Sequence, residues 1–263
     1  MRSKGFLLTS VLGGLLAVLT VLAPTGPASA ATTGRVAPGI QLVTAGHACT
    51  ANFVFRDARH RVFVGYAASC ATRGVPAAGR CARSAPLGTR VRLADRGRTL
   101  GYGVLGYSSF RSLQRAGVTD SSACAANDFA LVEIRGAARR HVSPAVPYWG
   151  GPSALGALPA AGSNVFGLAR PTAGARTLPR AGQVTTTGPT TASVSTLLPS
   201  TRAARGSGFL DDAGRAVGVL TGSTAAGDNT VVSLAGAVAF ARGHGVPGLH
   251  LVRGGAFSGT AIL

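Results

Sequence analysis

From residue 40 onward the chain is a succession of short apolar runs broken by glycine, proline and polar turns. Ile40 to Thr44 carries the first strand signal. Cys49 to Arg56 alternates apolar and polar positions, Asp57 to His60 makes a polar turn, and Val62 to Cys70 follows, which predicts a hairpin. Thr89 to Leu93 and Gly101 to Leu105 predict two more strands around a turn at Asp95, Arg96 and Gly97. Residues 106–123 read as a long surface loop, and the apolar run ending at Ile134 as the next strand. Residues 135–150 form an arginine- and proline-containing connection. Beyond it strands are predicted at Asn164 to Leu168, Ala181 to Thr187 and Ala192 to Leu198. The pair Phe209 and Leu210 leads into a turn from Asp211 to Gly214 and a buried strand from Ala216 to Leu220. Apolar residues at 234, 237, 238 and 241 have helical spacing, so Ser233 to Arg242 is a helix, stopped by Gly243 and Gly245. The tail from Val246 has no assigned role. Short, evenly spaced strands with glycine and proline turns suit an all-β barrel architecture.

The first residues change the picture of where this fold works. Arg2 and Lys4 open a positive segment, Phe6 to Val21 is almost wholly apolar, and Ala28, Ser29 and Ala30 supply an A-x-A cleavage signal. Residues 1–30 are therefore expected to be a secretory signal peptide cut after Ala30, with residues 31–40 as a lead-in. No later run is long and apolar enough to span a bilayer, so no membrane span is expected after cleavage, and the mature chain is expected to be extracellular. Four cysteines, Cys49, Cys70, Cys81 and Cys124, imply two disulfides in an exported chain, with three pairings open. Their spacings match no zinc pattern, and no cofactor or metal is expected.

Charge narrows the partners. Lys and Arg total 26 against 8 Asp and Glu, a net charge of +18, and Lys4 is the only lysine. No Asp or Glu occurs between Glu133 and Asp211. Such a field favours acidic partners, including a cell-surface polymer. Aromatic residues are only 6% and do not interleave with basic blocks, so no specific nucleic-acid binding is expected.

Three segments carry chemistry. Ala204 to Gly208 reads Ala-Arg-Gly-Ser-Gly before the Phe209–Leu220 hairpin; Tyr66 to Cys70 reads Tyr-Ala-Ala-Ser-Cys; Asn127 to Leu131 reads Asn-Asp-Phe-Ala-Leu. In this order they resemble the nucleophile loop, the histidine-bearing strand end and the aspartate-bearing strand of the chymotrypsin/trypsin-like serine proteases, in particular their secreted bacterial branch. The resemblance implies two six-stranded antiparallel β-barrels with a short C-terminal helix: residues 31–140 for the first barrel, and 141–263 for the second with its helix and tail. It implies a Cys49–Cys70 bridge and, with it, Cys81–Cys124. It puts the triad positions at Ser69, Asp128 and Arg205.

Two of those three positions lack the group the reaction needs. Serine at 69 has no imidazole to take a proton, and arginine at 205 stays protonated and cannot attack. The expectation is a catalytically degenerate, monomeric homologue that binds a protein, a peptide or an anionic polymer. Asp128 then has a structural duty. Arg205 is expected to lie across the former cleft and block it; the alternative is an anion or a peptide carboxylate bound through Arg205, beside backbone N–H groups of the former oxyanion site. The alternative is an active hydrolase with a shifted nucleophile, Ser207, which stands two residues on and keeps the same strand facing. Pro199, six residues before Arg205, stands near the base of a specificity pocket, with no carboxylate close by to select basic side chains.

Overall fold

The computed structural model describes residues 34–74, 81–118, 120–197 and 200–259, which lie in one compact unit. The expected signal peptide, residues 1–30, and Pro199 lie outside the described residues. Along the chain the first barrel uses β1 (Gln41–Thr44), β2 (His47–Thr50), β3 (Val54–Arg56) and β4 (Val62–Tyr66). A two-stranded ribbon of β5 (Thr72–Arg73) and β6 (Arg83–Ser84) precedes β7 (Arg90–Asp95), β8 (Arg98–Ser108) and β9 (Ala130–Ile134). The barrel strands are ordered β3-β4-β9-β8-β7-β1-β2.

The segment Cys49 to Arg56, expected as one strand, is bent at Ala51–Phe53, and this bend closes the ring. Ala51 N–H donates to Ile40 C=O beside β1, and Asn52 N–H donates to Gly65 C=O in β4, each at 2.8 Å. Counting the bent segment once makes six strands. Strand periodicity then sorts its side chains. Val54 enters the barrel core with Leu42, Val64, Leu93 and Leu105, while Phe53 and Phe55 point the other way.

The second barrel is a closed ring of β10 (Asn164–Ala169), β11 (Leu178–Thr187), β12 (Thr191–Thr196), β13 (Gly208–Asp211), β14 (Ala216–Ser223) and β15 (Asn229–Ser233). Val165, Val184, Val194, Phe209, Val217 and Val231 fill it. A third apolar layer joins the barrels: Phe53, Phe55, Phe63 and Phe129 meet Trp149, Phe166 and Leu210. Its polar handle is satisfied, since Trp149 Nε1–H donates to Gly167 C=O at 2.7 Å.

The stretch expected to be a loop, residues 106–123, is mostly ordered secondary structure. β8 continues to Ser108, α1 (Ser109–Arg115) buries Phe110 and Leu113 one turn apart, and α2 (Ser121–Ala126) is capped by the Asp120 carboxylate, which accepts from Ala123 N–H at 3.2 Å. The last helix, α3 (Leu234–Gly243), buries Leu234, Ala237, Val238 and Ala241, matching the predicted spacing. The tail has a role as well. β16 (His250–Leu251) pairs with β3 of the first barrel, and Phe257 then packs on Phe166 of the second, with ring centroids 5.4 Å apart.

Candidate functional site

The site lies where the barrels meet, and its parts are positioned by main-chain contacts. Ser69 sits in the 3-10 turn Ala68–Ala71 that ends β4, and the Cys49–Cys70 disulfide ties this turn to β2. Asp128 precedes β9 and is buried; its Oδ1 accepts from Ser69 N–H at 2.7 Å. Burial lifts the Asp128 carboxyl above the usual carboxylate value, and the Ser69 bonds and the positive charge of Arg205 offset only part of this. Arg205 follows the 3-10 turn Arg202–Ala204. Its C=O accepts from Thr50 N–H at 2.8 Å, across the barrel boundary.

Thr50 is the pin that the sequence does not reveal. Besides donating its N–H, it donates Oγ1–H to Ala203 C=O at 2.7 Å and accepts from Arg170 Nε at 3.3 Å. Gly206 makes the close approach possible. Its φ is +90°, and a Cβ there would stand 2.5 Å from Thr50 O. Gly208 lies flat on Phe53, whose ring would be 2.4 Å from an added Cβ.

These contacts bring Ser69, Asp128 and Arg205 together at one cleft, with Ser69 N–H on Asp128 and Ser69 and Arg205 lining the same cavity. The side chains do not form a proton relay. His47 lines the same cavity as Ser69 and Arg205, a space of about 670 Å³, but its ring makes no hydrogen bond among the described residues. His60 occupies the β3–β4 turn, and His141 is exposed. The rings of His244 and His250 bond to the C=O groups of Phe240 and Gly248, at 2.8 and 3.0 Å. Among the described residues no imidazole is hydrogen-bonded to a serine hydroxyl.

Ser207, the alternative nucleophile, is fully buried behind the chain. Its Oγ accepts from Arg180 at 3.4 Å, and it lines neither cavity described here. Two backbone N–H groups next to the Arg205 side chain are committed within the turn. Ala204 N–H donates to Thr201 C=O at 3.1 Å, and Arg205 N–H to Arg202 C=O at 3.3 Å. An oxyanion donor must point at the reacting oxygen, and these point into their own turn.

Two arginines that the sequence reading passed over are buried beside this turn. Arg170, 1% exposed, donates to the C=O groups of Gly39 and Ala175 and to Thr50 Oγ1. Arg180, 3% exposed, donates to Ser200 Oγ at 2.9 Å and lies over the Phe209 ring at 5.1 Å. Burial pushes the Arg180 guanidinium down to about 10. Neither is in an ion pair among the described residues, where ion pairs involve Arg61, Arg135 and Arg215, although the charge of Asp95 acts on Arg170 from farther off. Arg170 follows the apolar run of β10 and Arg180 lies within β11, both inside the acid-free stretch, but nothing local in the sequence marks either as buried. A second cavity of about 200 Å³ opens between Ser200, Arg202 and Arg205 on one side and Leu220, Gly222 and Ser223 on the other.

The Cys81–Cys124 disulfide is present too, holding the chain before β6 to α2. Among the described residues no group of three or more His, Cys, Asp or Glu side chains clusters as metal ligands, and no helix is long and apolar enough to cross a membrane.

No protein-family model and no curated protein matches the sequence. Solved structures do match the fold. Thermobifida fusca Protease A is 19% identical with a TM-score of 0.52, over 82% of this chain and 99% of that one. Nocardiopsis protease is 17% identical with a TM-score of 0.51, over 82% and 98%. A Glu endopeptidase structure is 18% identical with a TM-score of 0.51, over 77% and 88%. The chain therefore has the two-barrel fold of the bacterial chymotrypsin/trypsin-like serine proteases.

Proposed function

We propose that this chain is a secreted, non-catalytic homologue of those proteases whose cleft binds a ligand without cleaving it. The observation that carries the reading is the pairing of Ser69 with Asp128 on one side of the cleft and Arg205 on the other. In the proteases that the motif resembles, such a carboxylate orients an imidazole; here Asp128 accepts from Ser69 N–H, and no imidazole among the described residues bonds to it. A guanidinium takes the place of the attacking hydroxyl. The burial of Ser207 and the inward-turned N–H of Arg205 support the same reading. Two disulfides and the expected signal peptide support an oxidising, extracellular location. The excess of arginine supports an acidic protein, peptide or surface polymer as the ligand.

The test is turnover by the mature protein, residues 31–263, on casein and on a panel of peptide esters. The expected rate equals that of an Arg205→Ala, Ser207→Ala double variant. Hydrolysis that this variant abolishes would refute the reading.

A further inference from the structure

The barrel that carries Ser69 and Asp128 has a second end. β4 runs from Val62 toward Ser69, and β9 runs back from Asp128 to Ile134, paired so that Tyr66 faces Ala130 and Phe63 faces Glu133. β8 also starts on the far side, with Gly103 opposite Ile134. The β3–β4 turn, the β7–β8 turn and the 3-10 turn Gly136–His141 therefore gather at the strand ends away from the cleft. Two contacts join them. Arg139 Nη2 donates to His60 C=O at 2.7 Å, and a Cβ at Gly101 would stand 3.4 Å from that of Ala138.

These segments are rich in arginine and short of free acid. Arg56, Arg59, Arg96, Arg98, Arg139 and Arg140 are all exposed, and none is in an ion pair among the described residues. The acids beside them are Asp57, Asp95 and Glu133. Asp57 is buried and pairs with Arg61 at 2.7 Å, while Glu133 pairs with Arg135 at 2.8 Å and lies 3.7 Å from Arg61. Of these acids only Asp95, opposite Arg98 in the ladder, is left against the unpaired arginines. None of those arginines lines the two cavities of the cleft. From Asp128 to Ile134 the chain covers roughly 20 Å. Screening at physiological ionic strength acts within about 8 Å, so this field is separate from that of Arg205.

We propose that this end of the first barrel binds a linear polymer of repeating phosphate groups, laid across the three turns. Cations on turn tips suit an extended chain, whereas a small anion is held in a cavity. The tetrahedral oxygens of a phosphate accept from guanidinium forks on several sides, as three neighbouring segments supply them; one fork fills a carboxylate. Between the arginines the tips carry Ala58, Gly97, Thr99 and Ala137, with no large apolar side chain to enter a bilayer, which favours a polymer over a lipid surface. The proposal leaves the cleft free and does not rest on the non-catalytic reading.

The test is calorimetric titration of the mature protein, residues 31–263, with soluble polyphosphate at salt concentrations from about 0.05 to 0.3 M, since each phosphate contact adds about 0.7 to the slope of log affinity against log salt. The parent is expected to bind in the micromolar range near physiological salt. A variant with Arg59→Gln, Arg96→Gln, Arg139→Gln and Arg140→Gln is expected to bind on the order of tenfold or more weakly, with the slope reduced by about 3. A control with Arg73→Gln, Arg83→Gln, Arg115→Gln and Arg202→Gln loses the same charge from other exposed positions and is expected to keep the parent's slope to within about 1.

A parent that does not bind polyphosphate overturns the proposal, and so does equal weakening of the two variants, which would mean that net charge alone attracts the polymer. Polygalacturonate bound as tightly as polyphosphate, charge for charge, overturns the choice of phosphate. Sedimentation with phosphatidylglycerol vesicles at least as strong as with polyphosphate, at equal phosphate, overturns the polymer in favour of a membrane. None of these results depends on turnover in the cleft, so the patch and the non-catalytic reading stand or fall separately.

Discussion

The two halves of the cleft differ in charge and in what ties them down. In the N-terminal barrel a disulfide, a turn and a carboxylate meet, and Asp128 bonds to the backbone at residue 69. In the C-terminal barrel the acids are gone from Glu133 to Asp211, while Arg170, Arg180, Arg202 and Arg205 crowd around the loop. Yet both halves are held by main-chain contacts: Ser69 N–H to Asp128, Arg205 C=O to Thr50 N–H, Gly206 N–H to Leu220 C=O. None of these consults the side chain at 69 or 205. The fold therefore does not depend on which side chains stand at 69 and 205, because the contacts that hold the cleft rest on main-chain atoms.

That contrast can be broken at the seam. Gly206→Val puts a branched side chain on a residue with φ of +90° and a Cβ 2.5 Å from Thr50 O, so it must push the halves apart. The expected loss is about 4 kcal/mol in urea denaturation, among the largest effects of a single substitution. A loss below about 1 kcal/mol would mean the loop does not press on the first barrel as described.

Thr50→Val acts on the same seam with a smaller effect. It preserves shape and the N–H bond to Arg205 C=O but strips the hydroxyl from Ala203 C=O and Arg170 Nε, leaving both short of a partner. The expected cost is about 2 kcal/mol, measured the same way.

Asp128→Asn sharpens the N-terminal side alone. Asparagine keeps an acceptor for Ser69 N–H, so stability at low pH is expected to change by less than about 1 kcal/mol. The sign at higher pH follows from burial. Because the folded carboxyl titrates above its ordinary 3.8, its favourable contribution is whole below that pH and is lost as pH rises through the folded value. Asp128→Asn is therefore expected to gain on the parent protein from acid toward neutral pH, in denaturation midpoints compared across that range. A parent that gains on the variant instead would mean the carboxylate is held charged, by the hydrogen bonds from Ser69 first and the charge of Arg205 after them.

Much of the frame was legible in the sequence because it rests on period. The apolar run of Ala216 to Leu220 and the spacing of residues 234 to 241 each appear as the predicted element, while the alternation of Cys49 to Arg56 appears as two strands around a bend. The helices at Ser109–Arg115 and Ser121–Ala126 did not show because they are short, and only Phe110, Leu113 and Cys124 anchor them. The strand β15 and the docking of Phe257 were hidden because their reasons lie in distant partners. At the site, motif order points to Ser69, Asp128 and Arg205, and the structure brings the three to one cleft. Thr50 and Arg180 were not readable: a threonine beside a cysteine and an arginine in a strand carry no local mark of burial. The turn of the Arg205 N–H onto Arg202 is a matter of backbone geometry that residue types do not encode.

The most direct test of the central claim is the intact mass of the mature protein after exposure to a fluorophosphonate, which modifies a serine only when a base activates it. The account predicts an unchanged mass. A single adduct, mapped to Ser207 or Ser69 and lost when that residue becomes alanine, would contradict it.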